Sequence, residues 1–187
     1  YEFDGTNWIE TDQLMPSDSD PSDVHGNIEV AIDGDIAVMG IPNDANSIGC
    51  AYIYQFNGND WVDSKVVASD GTESDRFGEA VAVYGEFVAI SAYNADTSKG
   101  GTGTGKVYLY KFTGQEWVEI FIIEAEQPYG KFGTSISLDE NYLLVSAPRE
   151  TIYVDGNPFS LGGSVYLYDY TGSECTLEKR FITSDIR

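Results

Sequence analysis

Tyr52-Ile-Tyr-Gln-Phe-Asn-Gly-Asn-Asp-Trp61 recurs along the chain at a nearly constant interval. Its copies are Tyr108-Leu-Tyr-Lys-Phe-Thr-Gly-Gln-Glu-Trp117, Tyr166-Leu-Tyr-Asp-Tyr-Thr-Gly-Ser-Glu-Cys175 and a shortened Tyr1-Glu-Phe-Asp-Gly-Thr-Asn-Trp8. The tryptophan position falls at 8, 61, 117 and 175, with cysteine in the last copy, so the spacings are 53, 56 and 58 residues. A period of this length indicates one supersecondary unit per repeat. The alternation of tyrosines with other residues predicts strands with one drier face.

A second type of hairpin lies between these copies. It consists of two short apolar runs joined by a tight turn at Asp33-Gly34, Tyr84-Gly85 or Glu140-Asn141. Short Val, Ile and Ala runs bounded by Gly, Asp or Asn are typical of buried strands. Each repeat is therefore predicted to hold four strands, at 28–32, 36–41, 50–56 and 61–67 in the first, with equivalents within 79–123 and 134–182. No stretch has a sustained helical period, so we expect almost no helix.

Repeats of four short strands are typical of propeller blades. We predict an all-β fold, a β-propeller with four-stranded antiparallel blades, of which about 3.5 are present. The predicted units are an outer hairpin at 1–14, blades at 24–67, 76–123 and 131–182, and the start of a further repeat at 183–187. Closed propellers have about four to eight blades, so we expect the missing blades to come from the same polypeptide or from further copies of the chain.

Two Phe-Gly pairs carry a family resemblance. Phe77-Gly78 is followed by Ser91-Ala92, and Phe132-Gly133 is followed by Ser146-Ala147-Pro148. The pattern resembles the FG-GAP repeats of integrin-type β-propellers, although the first repeat departs from it with His25-Gly26. The resemblance covers essentially the whole chain. It implies that the chain is part of a seven-bladed propeller in an extracellular or cell-surface protein.

Calcium is the one cofactor that the resemblance raises, because many members of that family carry a calcium loop between the first two strands of a blade. Here that connection is a turn too short to wrap the six or more oxygen ligands of calcium. Acidic loops before the Phe-Gly positions remain candidates, since carboxylates suit this cation. The candidate ligands are Asp18, Asp20 and Asp23 in one loop and Asp70, Glu73 and Asp75 in the next. The alternative is a solvated turn in which Asp and Ser bond their own backbone.

Charge and composition exclude several partners. Ten Lys and Arg against 31 Asp and Glu give a net charge of −21, so we expect no nucleic-acid partner and no attraction to anionic membranes. There is no apolar run of about 18 residues, so no membrane insertion by this segment is expected. Cys50 and Cys175 form no metal pattern with the single His25, and a disulfide between them stays open. The chain opens without Met or a leader, so we expect a processed or longer protein.

Long loops between the second and third strands are predicted to share one rim of the propeller, where recognition usually occurs. The candidate ligand contacts are Tyr93, Asn94 and Asp96 in one loop and Arg149, Tyr153, Asp155 and Phe159 in the next. The alternative is that these are ordinary surface loops. The run Lys99-Gly-Gly-Thr-Gly-Thr-Gly-Lys106 lacks the phosphate-loop motif and its helix, so it is interpreted as a flexible insertion.

These features favour a non-enzymatic extracellular or cell-surface module for adhesion or ligand binding, with a protein or glycan ligand. No catalytic residue is assigned, because a nucleophilic triad would need His25, which occupies a Phe-Gly-like position. One alternative is a structural subunit of a surface assembly or filament built through blade-face contacts. A lesser alternative is a secreted hydrolase that uses one of the many possible carboxylate pairs.

Overall fold

The computed structural model describes residues 1–18, 27–98, 101–154 and 156–182. Its strands form three four-stranded antiparallel sheets, which we call blades 1 to 3, and two short hairpins. The N-terminal hairpin pairs β1 (Glu2–Phe3) with β2 (Trp8–Ile9). Blade 1 consists of β3 (Glu29–Asp33), β4 (Ile36–Ile41), β5 (Cys50–Phe56) and β6 (Trp61–Val66), with a single helical turn, α1 (Asp44–Ser47), between β4 and β5.

Blades 2 and 3 repeat this order of strands. Blade 2 consists of β7 (Val81–Tyr84), β8 (Phe87–Ala92), β9 (Lys106–Phe112) and β10 (Trp117–Glu124). In blade 3, β11 (Ile136–Leu138) and β12 (Tyr142–Ala147) are followed by a hairpin of β13 (Ile152–Val154) and β14 (Asn157–Phe159), and then by β15 (Ser164–Tyr170) and β16 (Cys175–Ile182). Within each blade, strands adjacent in the chain are paired in the sheet, apart from the inserted hairpin.

The prediction of an all-β fold with four-stranded antiparallel blades is confirmed. The strands expected in the first repeat agree with β3 to β6 to within one residue at each end. The only helical segment among the described residues is α1, and even there Ala45 and Asn46 have left-handed backbone angles. The blades form an open arc, because three sheets and one outer hairpin do not close a ring.

The core lies between neighbouring blades as well as inside them. One buried cluster joins Val38 and Ile53 of blade 1 to Val88 and Ile90 of blade 2. A second joins blades 2 and 3 in the same way, through Val107, Leu109, Leu143 and Val145. Burying one large apolar side chain fully stabilises the folded chain by about 1.5–3 kcal/mol. Because each cluster contains side chains of two blades, each interface stabilises both of the blades that it joins.

Phe-Gly pairs form these interfaces, which we call seam 1 and seam 2. At seam 1 the Phe77 amide donates to the carbonyl of Ile48 in blade 1 at 2.8 Å, as part of a parallel bridge between Gly49 and Phe77. At seam 2 the Phe132 amide donates to the Thr104 carbonyl of blade 2 at 3.0 Å. Each later blade is thus bonded through its Phe-Gly amide to the residue two positions before the third strand of the earlier blade.

Glycine is required at seam 1 because the two backbones nearly touch. A Cβ on Gly78 would lie 2.5 Å from the Cys50 carbonyl oxygen, and Gly78 has a φ of +95°. A Cβ on Gly40 would lie only 2.1 Å from the Gly78 carbonyl oxygen. Gly40 lies in the second strand of blade 1, so the blades approach closely at that strand. At seam 2 the equivalent neighbour is Ser91, whose Cβ would lie 2.9 Å from a Cβ on Gly133.

The phenylalanine of each pair packs on the tyrosines of its own blade. Phe77 meets Tyr108 edge to face, with the ring centroids 5.2 Å apart, and Phe132 meets Tyr166 in the same way at 5.4 Å. Such aromatic pairs add about 0.5–1.5 kcal/mol beyond burial. The Phe-Gly pair therefore fixes its own blade by its ring and the preceding blade by its amide.

Both ends of the arc expose apolar side chains. On β3, Val30 and Ile32 are 71% and 69% exposed, and on β16 Phe181 and Ile182 are 43% and 42% exposed. These faces are the counterparts of the surfaces that seams 1 and 2 bury, as expected for blades without a neighbour. Among the described residues, no helix combines the length and the apolarity needed to cross a bilayer.

The structure corrects the interpretation of the glycine-rich run as a flexible insertion. Its described part includes Gly103, Thr104 and Gly105, all of which are buried. A Cβ on Gly105 would lie 2.1 Å from the Phe132 carbonyl oxygen, so this glycine belongs to seam 2. Periodicity could not reveal this, because the partner residue, Phe132, is supplied by the connector of the next repeat.

Candidate functional site

Long loops and connectors meet at one edge of the blades. In an antiparallel blade, the loop from the second to the third strand and the connector that enters the first strand lie at the same edge. We call this edge the loop rim, and it comprises the loops 93–105 and 148–163 and the connectors 67–80 and 125–135. Asn94 Nδ2 joins the two kinds of segment by donating to the Ser74 carbonyl at 2.6 Å, and Ser98 joins its loop to the end of β10 by donating to the Glu124 carboxylate.

A carboxylate, a tyrosine and a cation form a compact unit under the connector of blade 2. Tyr108 OH donates to Asp70 Oδ1 at 2.7 Å, and Lys106 Nζ donates to Asp70 Oδ2 at 2.6 Å. Partial burial alone would raise the pKa of Asp70, but the bonds from Lys106 and Tyr108 outweigh it and the pKa is lowered. Burial likewise works to lower the pKa of Lys106, but Asp70 and Glu124 together more than compensate, so that pKa is raised. The unit therefore stays charged and holds the connector on the third strand.

Blades 1 and 3 contain the same unit, but its acid and its cation come from different positions in the blade. In blade 1, Tyr52 donates to Asp18 at 2.5 Å and Lys65 lies 3.3 Å from the same carboxylate. In blade 3, Tyr166 donates to Glu150 at 2.6 Å, and Arg180 lies 3.2 Å from it. The tyrosine position is constant, whereas the cation comes from the third or the fourth strand and the acid from a connector or a loop. Because residues at different positions supply the same three-way contact, we interpret the unit as structural: it holds a loop or connector against the strands of its blade.

The serine before each connector acid fixes the connector to the outer strand. Ser69 Oγ donates to Glu119 Oε1 at 2.6 Å, and Ser17 Oγ donates to Asp63 Oδ2 at 2.9 Å. The Ser-Asp pairs of the connectors to blades 1 and 2 thus reach both the third and the fourth strand of the blade that each connector enters.

Those predicted calcium ligands that the structure describes do not converge. Asp18 and Asp70 are engaged in the units described above, while the Asp75 carboxylate accepts bonds from Thr72 N and Oγ1 at 2.7 and 3.0 Å. Glu73 is exposed. Asp20 and Asp23 lie outside the described residues, as does His25. Within the described ranges, no three or more His, Cys, Asp or Glu side chains are grouped to hold a metal. Calcium in these loops stays a prediction, and the contacts of Asp75 favour the turn alternative there.

The predicted ligand contacts fall into two groups on the loop rim. Tyr93, Asn94 and Arg149 lie near one another, beside the connector of blade 3. On the β13–β14 hairpin, Tyr153 is 64% exposed, whereas Phe159 is partly buried. Asp155 lies outside the described residues, and Asp96 accepts the Gly103 amide at 3.0 Å within its own loop. None of these assignments is tested by a bound ligand.

Two cations that the sequence did not single out complete the first group. The Arg76 guanidinium carbon lies 5.7 Å from the Tyr93 ring centroid, and Lys131 Nζ lies 4.8 Å from it. Lys131 also donates to Asn94 Oδ1, and the Arg149 amide donates to the Gly130 carbonyl at 3.1 Å. We call Arg76, Tyr93, Lys131 and Arg149 the Tyr93 cluster. The sequence signal for it is a basic residue directly before each Phe-Gly pair, at Arg76 and Lys131.

The electrostatics of the cluster are unusual for such an acidic chain. Burial lowers the pKa of Lys131, and the positive charges of Arg149 and Arg76 lower it further. No nearby carboxylate offsets these effects in the described part of the chain. Cations that perturb one another in this way form a local positive field, which attracts an anionic group.

The two thiols are free and poorly suited to nucleophilic chemistry. Cys50 is buried and Cys175 is partly buried, and neither is in a disulfide. Burial, together with a hydrogen bond to Asp44, raises the pKa of Cys50 to about 12, and burial raises that of Cys175 to about 11. Both thiols are therefore protonated at neutral pH, whereas the thiolate is the reactive form.

A groove of about 450 Å³ lies at the open face of blade 3, lined by residues that include Ser146, Pro148, Gly162 and Phe181. Gly162 stands two positions before the third strand of its blade, like Ile48 in blade 1 and Thr104 in blade 2. The groove therefore corresponds to the surface that receives a Phe-Gly pair at seams 1 and 2. We call it the acceptor groove.

Comparison with known proteins agrees with the seam geometry. The model of the FG-GAP repeat matches residues 8–54 and 61–110, together more than half of the chain. No curated protein matches the chain. Each matched segment begins at an outer-strand tryptophan and ends in a Tyr-x-Tyr strand, and the second contains the Phe77-Gly78 pair of seam 1. The chain therefore belongs to the FG-GAP repeat family.

Proposed function

We propose that the chain is a non-enzymatic extracellular or cell-surface β-propeller module that binds a protein or glycan ligand through its loop rim. FG-GAP repeats occur in extracellular adhesion proteins, and the family generally binds ligands. The observation that carries the proposal is the Tyr93 cluster, where two rim loops and two connectors bring an aromatic ring and three cations together. The protonated thiols are consistent with a binding role.

Exposed aromatic side chains support the choice of the loop rim over the opposite edge. Tyr129 in the blade 3 connector and Tyr153 on the β13–β14 hairpin are each 64% exposed. Exposed tyrosines are enriched at protein interfaces because they bury a large area and keep a polar hydroxyl. The opposite edge consists of tight turns, of which Gly34-Asp35 and Gly85-Glu86 contain only two residues. Rim loops therefore offer more surface for recognition.

Array binding tests this proposal. The labelled chain is applied to arrays of extracellular proteins and glycans, together with a double variant, Tyr129→Ser with Tyr153→Ser. The control is Tyr84→Ser, because Tyr84 is also exposed but lies at the opposite edge, beside the β7–β8 turn. We expect the double variant to lose about tenfold or more in affinity for the bound array members, while the control matches the wild type. Equal binding by all three proteins, or no binding to any member, would refute the proposal.

A second candidate function is a structural subunit of a surface assembly or filament built through blade faces. The apolar face of β3, with Val30 and Ile32, and the acceptor groove at the other end of the arc favour it. Because these two faces differ, contact between copies would be head to tail and would build rings or filaments. Contact with further blades of a longer polypeptide would cover the same faces.

Light scattering after size-exclusion chromatography separates the two candidates. Over a concentration range of about a hundredfold, a subunit should show a mass that grows with concentration. Val30→Glu should abolish this growth by placing a charge in the contact, whereas Val62→Glu, at an exposed position of the outer strand β6, should not. A constant monomer mass at every concentration would exclude assembly of this chain through its blade faces.

A further inference from the structure

The Tyr93 cluster contains cations that have no acidic partner among the described residues. Among the described residues, five of the eight lysines and arginines lie within 4.0 Å of a carboxylate. Lys131 and Arg149 do not, although acids outnumber bases threefold in the chain. The hydrogen-bond partner of Lys131 is the neutral amide of Asn94. Within the cluster only Arg76 is paired, to Glu79 at 2.9 Å.

The cluster is held in place before any ligand arrives. Asn94, which accepts the Lys131 bond, is itself fixed because its Nδ2 donates to the Ser74 carbonyl at 2.6 Å. The Arg149 amide bonds to the Gly130 carbonyl at 3.1 Å, which places the backbone of Arg149 beside that of Lys131. Arg76 and Lys131 both have left-handed backbones, with φ values of 62° and 56°. Such strain costs about 1–3 kcal/mol per residue and persists where the surroundings impose it.

The charge of the whole chain restricts what can bind there. At physiological ionic strength charges are screened beyond about 8 Å, so a small anionic group at the cluster interacts mainly with Lys131, Arg149 and the Arg76–Glu79 pair. A polyanion would extend over surface that carries most of the net charge of −21, and would be repelled. A basic protein would be attracted by that same surface. The guanidinium of Arg149 and the ammonium of Lys131 suit a carboxylate, which they bind by charge-assisted hydrogen bonds.

We propose that the Tyr93 cluster binds a single carboxylate side chain presented by an otherwise basic protein, with Lys131 and Arg149 as the direct contacts and Tyr93 as the platform that holds Lys131 and Arg76. The proposal rests on the proposed function in that it assigns a ligand chemistry to the loop rim. A uronic acid on a glycan would present the same carboxylate without the basic surroundings.

The test uses blocked peptides and the full chain. The probe is acetyl-Lys-Gly-Asp-Gly-Lys-amide, its control has Asn in place of Asp, and a glucuronic-acid disaccharide is the third arm. Binding is followed by NMR of the Lys131 and Arg149 side chains at constant ionic strength. We expect the Asp peptide to bind at least about tenfold more tightly than the Asn peptide and the disaccharide. Binding should also raise the pKa of Lys131, since a carboxylate favours its charged form.

Matched variants locate the contact. Lys131→Gln and Arg149→Gln should each weaken Asp-peptide binding by about tenfold. Lys179→Gln is the control, because Lys179 also lies over an aromatic ring, 5.1 Å from the Phe181 centroid, without a carboxylate within 4.0 Å among the described residues. That variant should bind like the wild type. In the free protein, Arg149→Gln should raise the pKa of Lys131, which would confirm that the two cations interact.

Three outcomes would overturn the inference: equal binding of the Asp and Asn peptides, equal losses in Lys179→Gln and Lys131→Gln, or preference for the disaccharide over the Asp peptide. The array experiment keeps this failure separate from that of the proposed function. If array members are bound by wild type, Lys131→Gln and Arg149→Gln alike but lost in the Tyr129→Ser, Tyr153→Ser variant, the rim is a binding surface and the carboxylate site is wrong.

Discussion

Replacing Gly78 with alanine tests whether seam 1 depends on its Phe-Gly pair. Gly78 has a φ of +95°, and its Cβ would lie 2.5 Å from the Cys50 carbonyl oxygen and 2.8 Å from the Ile41 amide nitrogen. Gly58 in the β5–β6 turn has nearly the same φ, +94°, but nothing lies within 4 Å of its Cβ. Both substitutions carry the same backbone penalty of about 1–2 kcal/mol. Only Gly78→Ala adds an overlap with blade 1.

The size of that overlap sets the expected difference. Overpacking a well-packed interior costs about 1–3 kcal/mol. The free energy of unfolding should therefore fall by about 2–5 kcal/mol in Gly78→Ala and by about 1–2 kcal/mol in Gly58→Ala. For a domain of this size the difference of about 1–3 kcal/mol corresponds to a Tm lower by about 2–12 °C in Gly78→Ala than in Gly58→Ala. Urea unfolding followed by tryptophan fluorescence and thermal melts followed by circular dichroism measure both. Equal losses in the two variants would show that the seam yields to the added methyl group and does not require glycine.

Four further results are expected. The pKa of Asp70 is lowered in the folded state, so its contribution to the free energy of unfolding is present above its unfolded-state pKa and is lost as the pH falls through the folded-state pKa. The urea midpoints of wild type and Asp70→Asn should therefore converge in acid. The pKa of Lys106 is raised in the folded state, so its contribution to the free energy of unfolding is present below its unfolded-state pKa. That contribution should be lost only as the pH rises through the folded-state pKa. Arg180→Met leaves the buried Glu150 carboxylate without its cation and should cost about 3 kcal/mol in urea unfolding, against less than about 1 kcal/mol for Lys111→Met, whose ion pair is more exposed. A calorimetric calcium titration should give the same heat for wild type and Asp70→Asn, because that carboxylate is already bonded; a loss of heat in the variant would restore the calcium hypothesis.

The blades were predictable because their signals are local. Alternation of tyrosines in β5 and the apolar runs of β3 and β4 lie within single strands, and each pair of strands is separated by a short turn. Phe77-Gly78 was recognisable in the sequence as a repeated motif for a different reason, although its contact with blade 1 was not predicted. The pair recurs at the repeat period, and a backbone conformation that requires glycine can be recognised from the glycine itself.

The site was less predictable because its partners are distant in the chain. The neighbours of Asp70 in the sequence are typical of a turn, yet its hydrogen-bond donors, Lys106 and Tyr108, lie 36 and 38 residues further along the chain. The Tyr93 cluster depends on the stacking of blade 3 on blade 2, which brings Lys131 to the ring of Tyr93. Periodicity predicts the contents of a blade, whereas side-chain contacts between repeats depend on the rotation from one blade to the next.

Each seam has a direction, because the earlier blade supplies the carbonyl, at Ile48 or Thr104, and the later blade supplies the Phe-Gly amide. During synthesis the N-terminal blade leaves the ribosome first, and domains generally begin to fold in that order. The receiving backbone is therefore translated before the residue that docks on it. The blades can therefore fold and dock one at a time, in the order of the chain. In blade 3, Gly162 holds the position at which Ile48 and Thr104 accept the Phe-Gly amide of a later blade.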